Sequence, residues 1–259
     1  PARGGGAIPE SEALERSASG VRNVTILVAC GLTREAAIIA RPGLVVVAGG
    51  GDAARLEREL EAAAGGVSAV LSCGVAGALD PALRGPVAAS ERIERCPSPQ
   101  PPSRLGPGLR RGGGLVEWLA AALPNAHSGT IVGADQIIAS ATEKAALHAH
   151  TGAIAVDMES HIAARVAARH NLPFAVLRTI SDSADHALPP AALVGMKPDG
   201  GVALGAILAS LARNPAQLPA LIRTGREAGA AFSALRRALG ALEALGIGGL
   251  DLREFTLDV

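Results

Sequence analysis

Short apolar runs alternate with amphipathic segments through much of the chain. Three of the runs are rich in β-branched residues and predict buried strands, at 24–30, 44–48 and 66–74. Between the last two, apolar residues recur at helical spacing from 52 to 64, and Asp52 is a suitable N-cap, so a helix is predicted there. Strands that alternate with helices indicate a wound, largely parallel sheet.

The same alternation continues after a Pro-rich segment at 95–108, which predicts a loop. Further helices are predicted at 114–123, 142–151 and 158–171, and further strands at 129–138, 152–157 and 173–182. From 199 to 250 the pattern is helical throughout. We therefore predict an α/β fold of three layers, α/β/α, with a central mixed, largely parallel twisted sheet and a helical C-terminal extension over 199–250.

The domain organisation follows from this pattern. Residues 21–259 are predicted to form a single domain, because one chain of this length can bury one sizeable core. Residues 1–20 contain no apolar segment of the kind found in a signal peptide, and they predict a flexible leader.

Gly-rich turns and carboxylates follow the predicted strands. The first three strands are followed by "CGLTRE", "GGGD" and "CGVAG", and two later ones by "DMES" and "SDSAD". Ligands of parallel sheets bind beyond the carboxyl ends of the strands, so we expect a ligand site where these segments meet.

Two carboxylates stand at the end of the strand "GAIAVDMES". Asp157 and Glu159 suit helix capping and the positive end of a helix dipole. A functional interpretation is also open: the two oxygens of Glu159 can accept hydrogen bonds from two sugar hydroxyls.

The strand "AVLRTISD" carries a charged residue in its apolar middle. Arg178 is costly to bury unless it is paired, so a structural pair with a carboxylate is one interpretation. In a regular strand Arg178 and Asp182 share a face. The functional interpretation makes Asp182 a proton donor, with Arg178 adjusting the charge nearby.

Composition narrows the function classes. The net charge is +0 and gives no argument for a nucleic-acid or membrane-surface partner. The three cysteines, Cys30, Cys73 and Cys96, are too far apart to suggest a zinc site or a disulfide framework, and a reducing cytosol is the simplest setting. No metal site is predicted, and no apolar run reaches the ~18 residues that span a bilayer.

The turn at Gly49, Gly51 and Ala54 fits the dinucleotide pattern G-x-G-x-x-A. That pattern needs an acidic residue about 20 positions further on, and the next strand ends in "LSCG" without one. A backbone nest for phosphate or a close-packed turn is the better interpretation. An NAD-dependent oxidoreductase and a non-catalytic purine-binding protein remain as alternatives from other classes.

Four segments in order, "SCGVAGALDPAL", "GADQII", "AVDMES" and "RTISDSAD", resemble the nucleoside phosphorylase and nucleosidase superfamily. They span roughly residues 24–190 and are most similar to the branch that acts on adenine nucleosides. Within the superfamily, "GLTREA", "GGGDAARL", "SDSADHALPPAAL" and the helical C-terminus look most like the hopanoid-associated phosphorylases, which remove adenine from adenosylhopane.

The resemblance implies an enzyme that cleaves the N-glycosidic bond of an adenine nucleoside and releases adenine, by phosphorolysis or hydrolysis. Adenosylhopane is the first candidate substrate, and a methylthioadenosine/S-adenosylhomocysteine nucleosidase is the alternative. The resemblance implies no cofactor, with inorganic phosphate as an optional co-substrate. It also implies a cytoplasmic homo-oligomer whose partner is the small-molecule nucleoside, with no nucleic acid and no membrane span.

The resemblance also assigns roles to residues. Asp182 matches the acid at purine N7, Glu159 the acceptor of ribose hydroxyls, and Arg178 the arginine near the nucleophile. The remaining substrate-binding positions are Met158, Ile137, Ile138, Ser181, Val75 and Ala76.

Two positions depart from the nucleosidase pattern. Ungapped alignment puts Ala36 where the nucleosidases carry the glutamate that activates water, and Glu35, the candidate for that catalytic role, precedes it. Val75 replaces a nearby serine. Both departures weaken the case for hydrolysis, and Thr33, Arg34 and Gly51 form an alternative phosphate or water site.

Overall fold

The structure is a computed structural model that describes residues 25–83, 86–89, 93–95, 119, 122–123, 125–195, 197 and 201–244, with the backbone alone at 86–89 and 93–95. The strands in these ranges are β1 (Ile26–Cys30), β2 (Leu44–Ala48), β3 (Ala69–Ala78), β4 (Pro86–Ala89), β5 (Ile93–Arg95), β6 (Ile131–Gly133), β7 (Ala155–Asp157) and β8 (Phe174–Asp182). The helices are α1 (Thr33–Ile39), α2 (Ala53–Ala63), α3 (Ala141–Thr151), α4 (Ser160–Arg169), α5 (Pro190–Leu193), α6 (Leu204–Arg213) and α7 (Leu218–Ala244).

All eight strands belong to one mixed sheet in the order β2-β1-β3-β7-β6-β5, with β8 also beside β3 and β4 beside β8. Strands β1 and β8 run parallel to β3, and β2 runs parallel to β1. Strand β7 is antiparallel to β3, and β4 is antiparallel to β8. The predicted mixed, largely parallel α/β fold is confirmed.

The direction of β7 corrects the expectation that the carboxyl ends of the strands share one edge of the sheet. The strands do not all end at one common edge, because β6 and β7 run against β1, β3 and β8. Instead, Gly77 of β3 is paired with Val156 of β7 on one side and with Asp182 of β8 on the other. The carboxyl ends of β7 and β8 therefore meet from opposite directions across β3.

Helices cover both faces of the sheet, as the three-layer prediction requires. On one face Leu56 and Leu60 of α2 and Ile162 of α4 pack in a cluster that includes Val176 of β8. On the other face residues of α1 and α7 pack in a second cluster, which includes Leu177 of the same strand. Neighbouring residues of β8 thus face opposite layers, as the period of a strand requires.

The element boundaries agree with the sequence pattern most closely where the local signals are strong. The predicted N-cap of α2 is confirmed, since the Asp52 carboxylate accepts the Arg55 backbone N–H at 2.9 Å. The predicted strand at 129–138 is reduced to β6, and β4 and β5 were not predicted. The helical segment after 199 is interrupted at Pro215–Gln217 by a 3-10 turn, because Pro215 cannot donate a helical hydrogen bond.

Some predictions fall outside the residues that the structure describes. These are the leader at 1–20, nearly all of the loop at 95–108 and most of the helix at 114–123. In the part that is described, no helix combines the length and apolar character needed to cross a bilayer.

Candidate active site

A cavity of about 270 Å³ lies where β7 and β8 meet. Its walls come from the turn after β1, the end of β3, the segment after β6, the β7–α4 junction, the end of β8, α5 and α7. Three acidic side chains predicted from the sequence, Glu35, Glu159 and Asp182, line this one cavity. The sequence prediction that these distant residues converge is therefore matched by the geometry.

Arg178 lies beneath the cavity with no exposed surface. Its Nε is 2.6 Å from Asp157 Oδ2, and its Nη2 is 3.4 Å from Glu159 Oε2. Nη2 also donates to the hydroxyl of Ser72 at 2.6 Å. Burial alone would lower the pKa of Arg178, but the negative charges of Asp157, Glu159 and Glu35 outweigh burial and raise it, so the guanidinium stays charged.

These contacts revise the sequence interpretation of Arg178. Its carboxylate partners are Asp157 and Glu159, whereas the proton-donor hypothesis placed its charge beside Asp182. Arg178 is therefore a positioning residue, since its guanidinium lies against the carboxyl group of Glu159.

Glu35 projects from the first turn of α1 into the cavity and is 1% exposed. Its Oε2 accepts the backbone N–H groups of Gly31 and Leu32, each at 2.7 Å, and its Oε1 accepts that of Val75 at 2.7 Å. Burial raises the pKa of Glu35, while Arg178 and these hydrogen bonds oppose the rise. A fixed carboxylate with a raised pKa suits a general base near neutral pH.

Ala36, which ungapped alignment matches to the water-activating glutamate, does not reach the cavity. It packs against the apolar cluster beneath α1. The structure therefore brings Glu35 into the site. A shift of the alignment by one residue in the loop after β1 would match Glu35 to the water-activating glutamate.

Glu159 stands at the start of α4 and is 8% exposed. Burial raises its pKa to about 8, with Arg178 opposing and the charges of Asp157 and Glu35 adding to the rise. A Cβ atom on Gly31 would lie 2.7 Å from Glu159 Oε1 and 3.4 Å from Glu35 Oε2. Glycine at 31 thus lets the two carboxylates approach each other.

The raised pKa of Glu159 predicts a pH-dependent stability. In the unfolded chain this group loses its proton near 4.5, whereas in the folded chain it keeps the proton up to about 8. Unfolding between these values releases a proton, so the free energy of unfolding falls as the pH rises, by at most about 1.4 kcal/mol per pH unit. We expect Glu159→Gln to remove this slope in denaturant titrations from pH 5 to 8, and Glu59→Gln, an exposed control, to keep it. Equal slopes in wild type and Glu159→Gln contradict the prediction.

Asp182 is held by a lysine that the sequence analysis did not assign to the site. Lys144 of α3 has no exposed surface, and its Nζ donates to Asp182 Oδ2 at 2.5 Å. It also donates to the carbonyl of Ser183 at 2.9 Å and that of His186 at 3.3 Å. One signal was available: Lys144 is one of two lysines in the chain, three positions before Leu147 on the buried side of α3.

A strand irregularity places the residue before Asp182 in the cavity as well. The register of β8 against β3 shifts between Ala76 and Gly77, so that one extra residue, Ser181, bulges there. The Ser181 hydroxyl donates to Asp182 Oδ1, at 2.8 Å, or to the carbonyl of Ala76, at 3.2 Å. Both side chains line the cavity.

The predicted substrate-binding residues are brought together. Besides Glu159 and Ser181, the cavity is lined by Met158, Ile137, Ile138, Val75 and Ala76. A further apolar wall was not predicted and is built by α5, the loop before it, and α7; its members are Leu188, Ala192, Leu193, Ala228 and Phe232.

The structure does not bring the three residues of the alternative phosphate or water site together in the cavity. Gly51 lines the cavity, but Thr33 and Arg34 are exposed and do not. Arg34 stacks over the Phe232 ring at 4.2 Å. The N–H groups of Gly49 and Gly50 donate to the carbonyls of Cys30 and Gly31, at 2.8 and 2.7 Å. The glycine turn therefore packs against the end of β1, and its first two amides are not available to an anion.

Comparison with solved structures places this fold among nucleosidases. The 5'-methylthioadenosine/S-adenosylhomocysteine nucleosidase of Helicobacter pylori has a TM-score of 0.59 and 18% identity, over 86% of this chain and 98% of its own. A futalosine hydrolase mutant of the same organism has a TM-score of 0.58 and 17% identity, over 86% of this chain and 99% of its own. The S-adenosylhomocysteine nucleosidase of Streptococcus pyogenes has a TM-score of 0.54 and 19% identity, over 65% of this chain and 87% of its own.

No curated protein matches this sequence. The family model described as the phosphorylase superfamily matches residues 20–199, which include every acidic residue of the cavity. The chain thus belongs to the phosphorylase superfamily and is an enzyme of the nucleoside phosphorylase and nucleosidase type.

Proposed function

We propose that this enzyme hydrolyses the N-glycosidic bond of an adenine nucleoside that carries an apolar 5′ substituent. The observation that carries the proposal is the distribution of acidic groups around one cavity. Glu35 and Glu159 lie together beside Gly31, and Asp182 with Lys144 lies beside Gly77. A nucleoside between them meets two carboxyl groups at the ribose and a proton-bearing pair at the base.

The base side assists departure of the purine. When the glycosidic bond breaks, its electron pair goes to the purine and positive charge develops on the ribose. The Lys144–Asp182 pair holds a transferable proton, which Asp182 delivers to N7 of the leaving base. Such assistance contributes about 10²–10⁴ in rate, and it works best in a site whose dipoles are already in place.

The ribose side stabilises the sugar and prepares the nucleophile. Glu159 accepts hydrogen bonds from the ribose hydroxyls. Negative charge near the sugar ring stabilises the positive charge that develops on the ribose. Glu35 takes a proton from water, and the water oxygen forms the new bond to C1′. The products are adenine and the free 5′-substituted ribose.

Water is favoured over phosphate by the charges of the site. The carboxyl groups of Glu35, Asp157 and Glu159 share one guanidinium, that of Arg178, so Arg178 has no unshared positive charge to offer a phosphate dianion. Among the described residues that line the cavity, none is Arg or Lys. Phosphate sites of proteins are usually built from such side chains or from free backbone N–H groups.

The substrate class is supported by the remaining walls. The Asp182 carboxylate can accept from the exocyclic amino group of adenine, whereas a 6-oxopurine would present an oxygen acceptor there. The apolar wall of α5 and α7 suits an apolar 5′ group, and adenosylhopane is the first candidate. The second candidate is methylthioadenosine or S-adenosylhomocysteine, supported by the fold shared with the Helicobacter pylori nucleosidase.

A product assay tests the proposal. Adenosine derivatives with 5′-methylthio, homocysteinyl and progressively longer alkyl groups are compared with inosine and a 2′-deoxy analogue, with and without phosphate. We expect adenine and free pentose without phosphate, faster release as the alkyl group lengthens, and weak activity on the inosine and 2′-deoxy compounds. Formation of pentose 1-phosphate contradicts hydrolysis, and release of no base from any compound contradicts the proposal itself.

A further inference from the structure

Helix α6 is apolar yet has no buried residue. It contributes to an exposed surface shared with α5, the loop that joins them and the start of α7. This surface, which we call the apolar face, consists of seven side chains that are 37–67% exposed: Leu193, Val194, Val202, Leu204, Leu208, Leu218 and Ile222. The elements that carry these side chains contact one another, and a large exposed apolar surface marks an interaction site.

The apolar face is held in place by buried contacts. The side chain of Gln217 accepts the N–H of Ala191 at 2.8 Å and donates to the carbonyl of Ser210 at 2.9 Å. The N–H of Ala203 donates to the carbonyl of Gly195 at 2.7 Å. These bonds tie α5, α6 and the 3-10 turn together, so α6 stands exposed in a defined position.

The apolar face continues into the cavity. Leu193 belongs to both, and the neighbouring Ala192 lines the cavity as well. Helix α6 lies beyond residue 199, where the match to the family model ends. Five of its seven side chains therefore lie outside the residues that the family model matches.

The charges near the apolar face along the chain favour an anionic partner. Between 188 and 227 the sequence contains four basic residues, Lys197, Arg213, Arg223 and Arg226, and two acidic residues, Asp199 and Glu227. The zero net charge of the whole chain conceals this local excess. A two-fold contact with a second copy would bring like-charged rims together, whereas an anionic surface attracts them.

We propose that the apolar face docks on the surface of an anionic lipid bilayer. The leucine and isoleucine side chains enter the boundary between headgroups and acyl chains, and the basic rim contacts the headgroups. This orientation directs the cavity mouth toward the bilayer, so a nucleoside with an apolar tail reaches the site without crossing water. The inference goes beyond the proposed function, because docking requires only this surface.

Vesicle co-sedimentation of the full chain tests the inference. We expect binding to phosphatidylcholine vesicles that contain phosphatidylglycerol, at least about tenfold weaker binding to phosphatidylcholine alone, and a decrease with salt. Leu204→Glu/Leu208→Glu should lower binding at least about tenfold, and Arg213→Ala/Arg226→Ala about tenfold or more on the anionic vesicles. Val45→Glu replaces an exposed valine of β2 and should bind as wild type does.

Either of two outcomes overturns the inference. Wild type that fails to sediment with anionic vesicles, or a Leu204→Glu/Leu208→Glu variant that binds as well as wild type, shows that no bilayer docks there. Sedimentation velocity without lipid identifies the competing occupant: if wild type is an oligomer that this variant dissociates, a second copy covers the face. The arginine variant keeps the test decisive if the leucine variant melts early. A chain that binds vesicles but releases no base contradicts the proposed function alone.

Discussion

Replacement of Asp182 by Asn is expected to slow base release by at least about 10²-fold. An amide cannot pass a proton to purine N7, and it deprives the Lys144 ammonium of its counter-charge. The Asn oxygen and the carbonyls of Ser183 and His186 can still accept from Nζ, so the chain should remain folded at the assay temperature. The measurement is single-turnover adenine release at saturating substrate, with circular dichroism to verify the fold.

Two companion variants sharpen this test. Asp185→Asn makes the same change at an exposed position three residues away and should release base at the wild-type rate. Lys144→Met should slow release about as much as Asp182→Asn, and the double variant should be little worse than either, because both residues hold one proton. A wild-type rate in Asp182→Asn removes the proposed role. Full additivity of the two changes would show that the residues act separately.

The second large effect is expected from Glu35→Gln. The amide cannot take a proton from water, so we expect base release to fall by about 10²–10⁴-fold, while the affinity for adenine, measured by calorimetry, changes little. The same substitution at exposed Glu59 is the control. The Gln side chain has a single carbonyl oxygen for the three backbone N–H donors that Glu35 accepts, so the melting temperature is measured alongside.

Adding phosphate to the Glu35→Gln variant shows whether water or phosphate is the nucleophile. If water is the nucleophile, added phosphate leaves the slow rate of Glu35→Gln unchanged. If phosphate restores release and pentose 1-phosphate forms, Glu35 is not the general base and the enzyme is a phosphorylase.

The sequence predicted the fold and the main acidic residues because their signals are local. Asp182 and Glu159 stand where apolar runs end, and the Asp52 cap lies directly before a helical pattern. The partner of Asp182 could not be deduced in this way. Lys144 is 38 positions away on a helix, and contacts over that distance depend on how the elements pack.

The pairing of Arg178 escaped the sequence analysis for a related reason. Alternation in a strand puts Arg178 and Asp182 on one face, and nothing in the chain indicates that β7 runs against β3. That direction brings Asp157 and Glu159 over the guanidinium. Likewise, Glu35 could be chosen over Ala36 only once the geometry of the turn after β1 was known.

The bulge at the end of β8 has a consequence for how such a site can change over time. A regular strand would send adjacent side chains to opposite layers, yet here Ser181 and Asp182 open into the same cavity. Asp182, the proposed proton donor, and the Ser181 hydroxyl that donates to it are encoded by consecutive codons. Mutations in the surrounding helices can therefore change which substrates the pocket binds without separating these two groups.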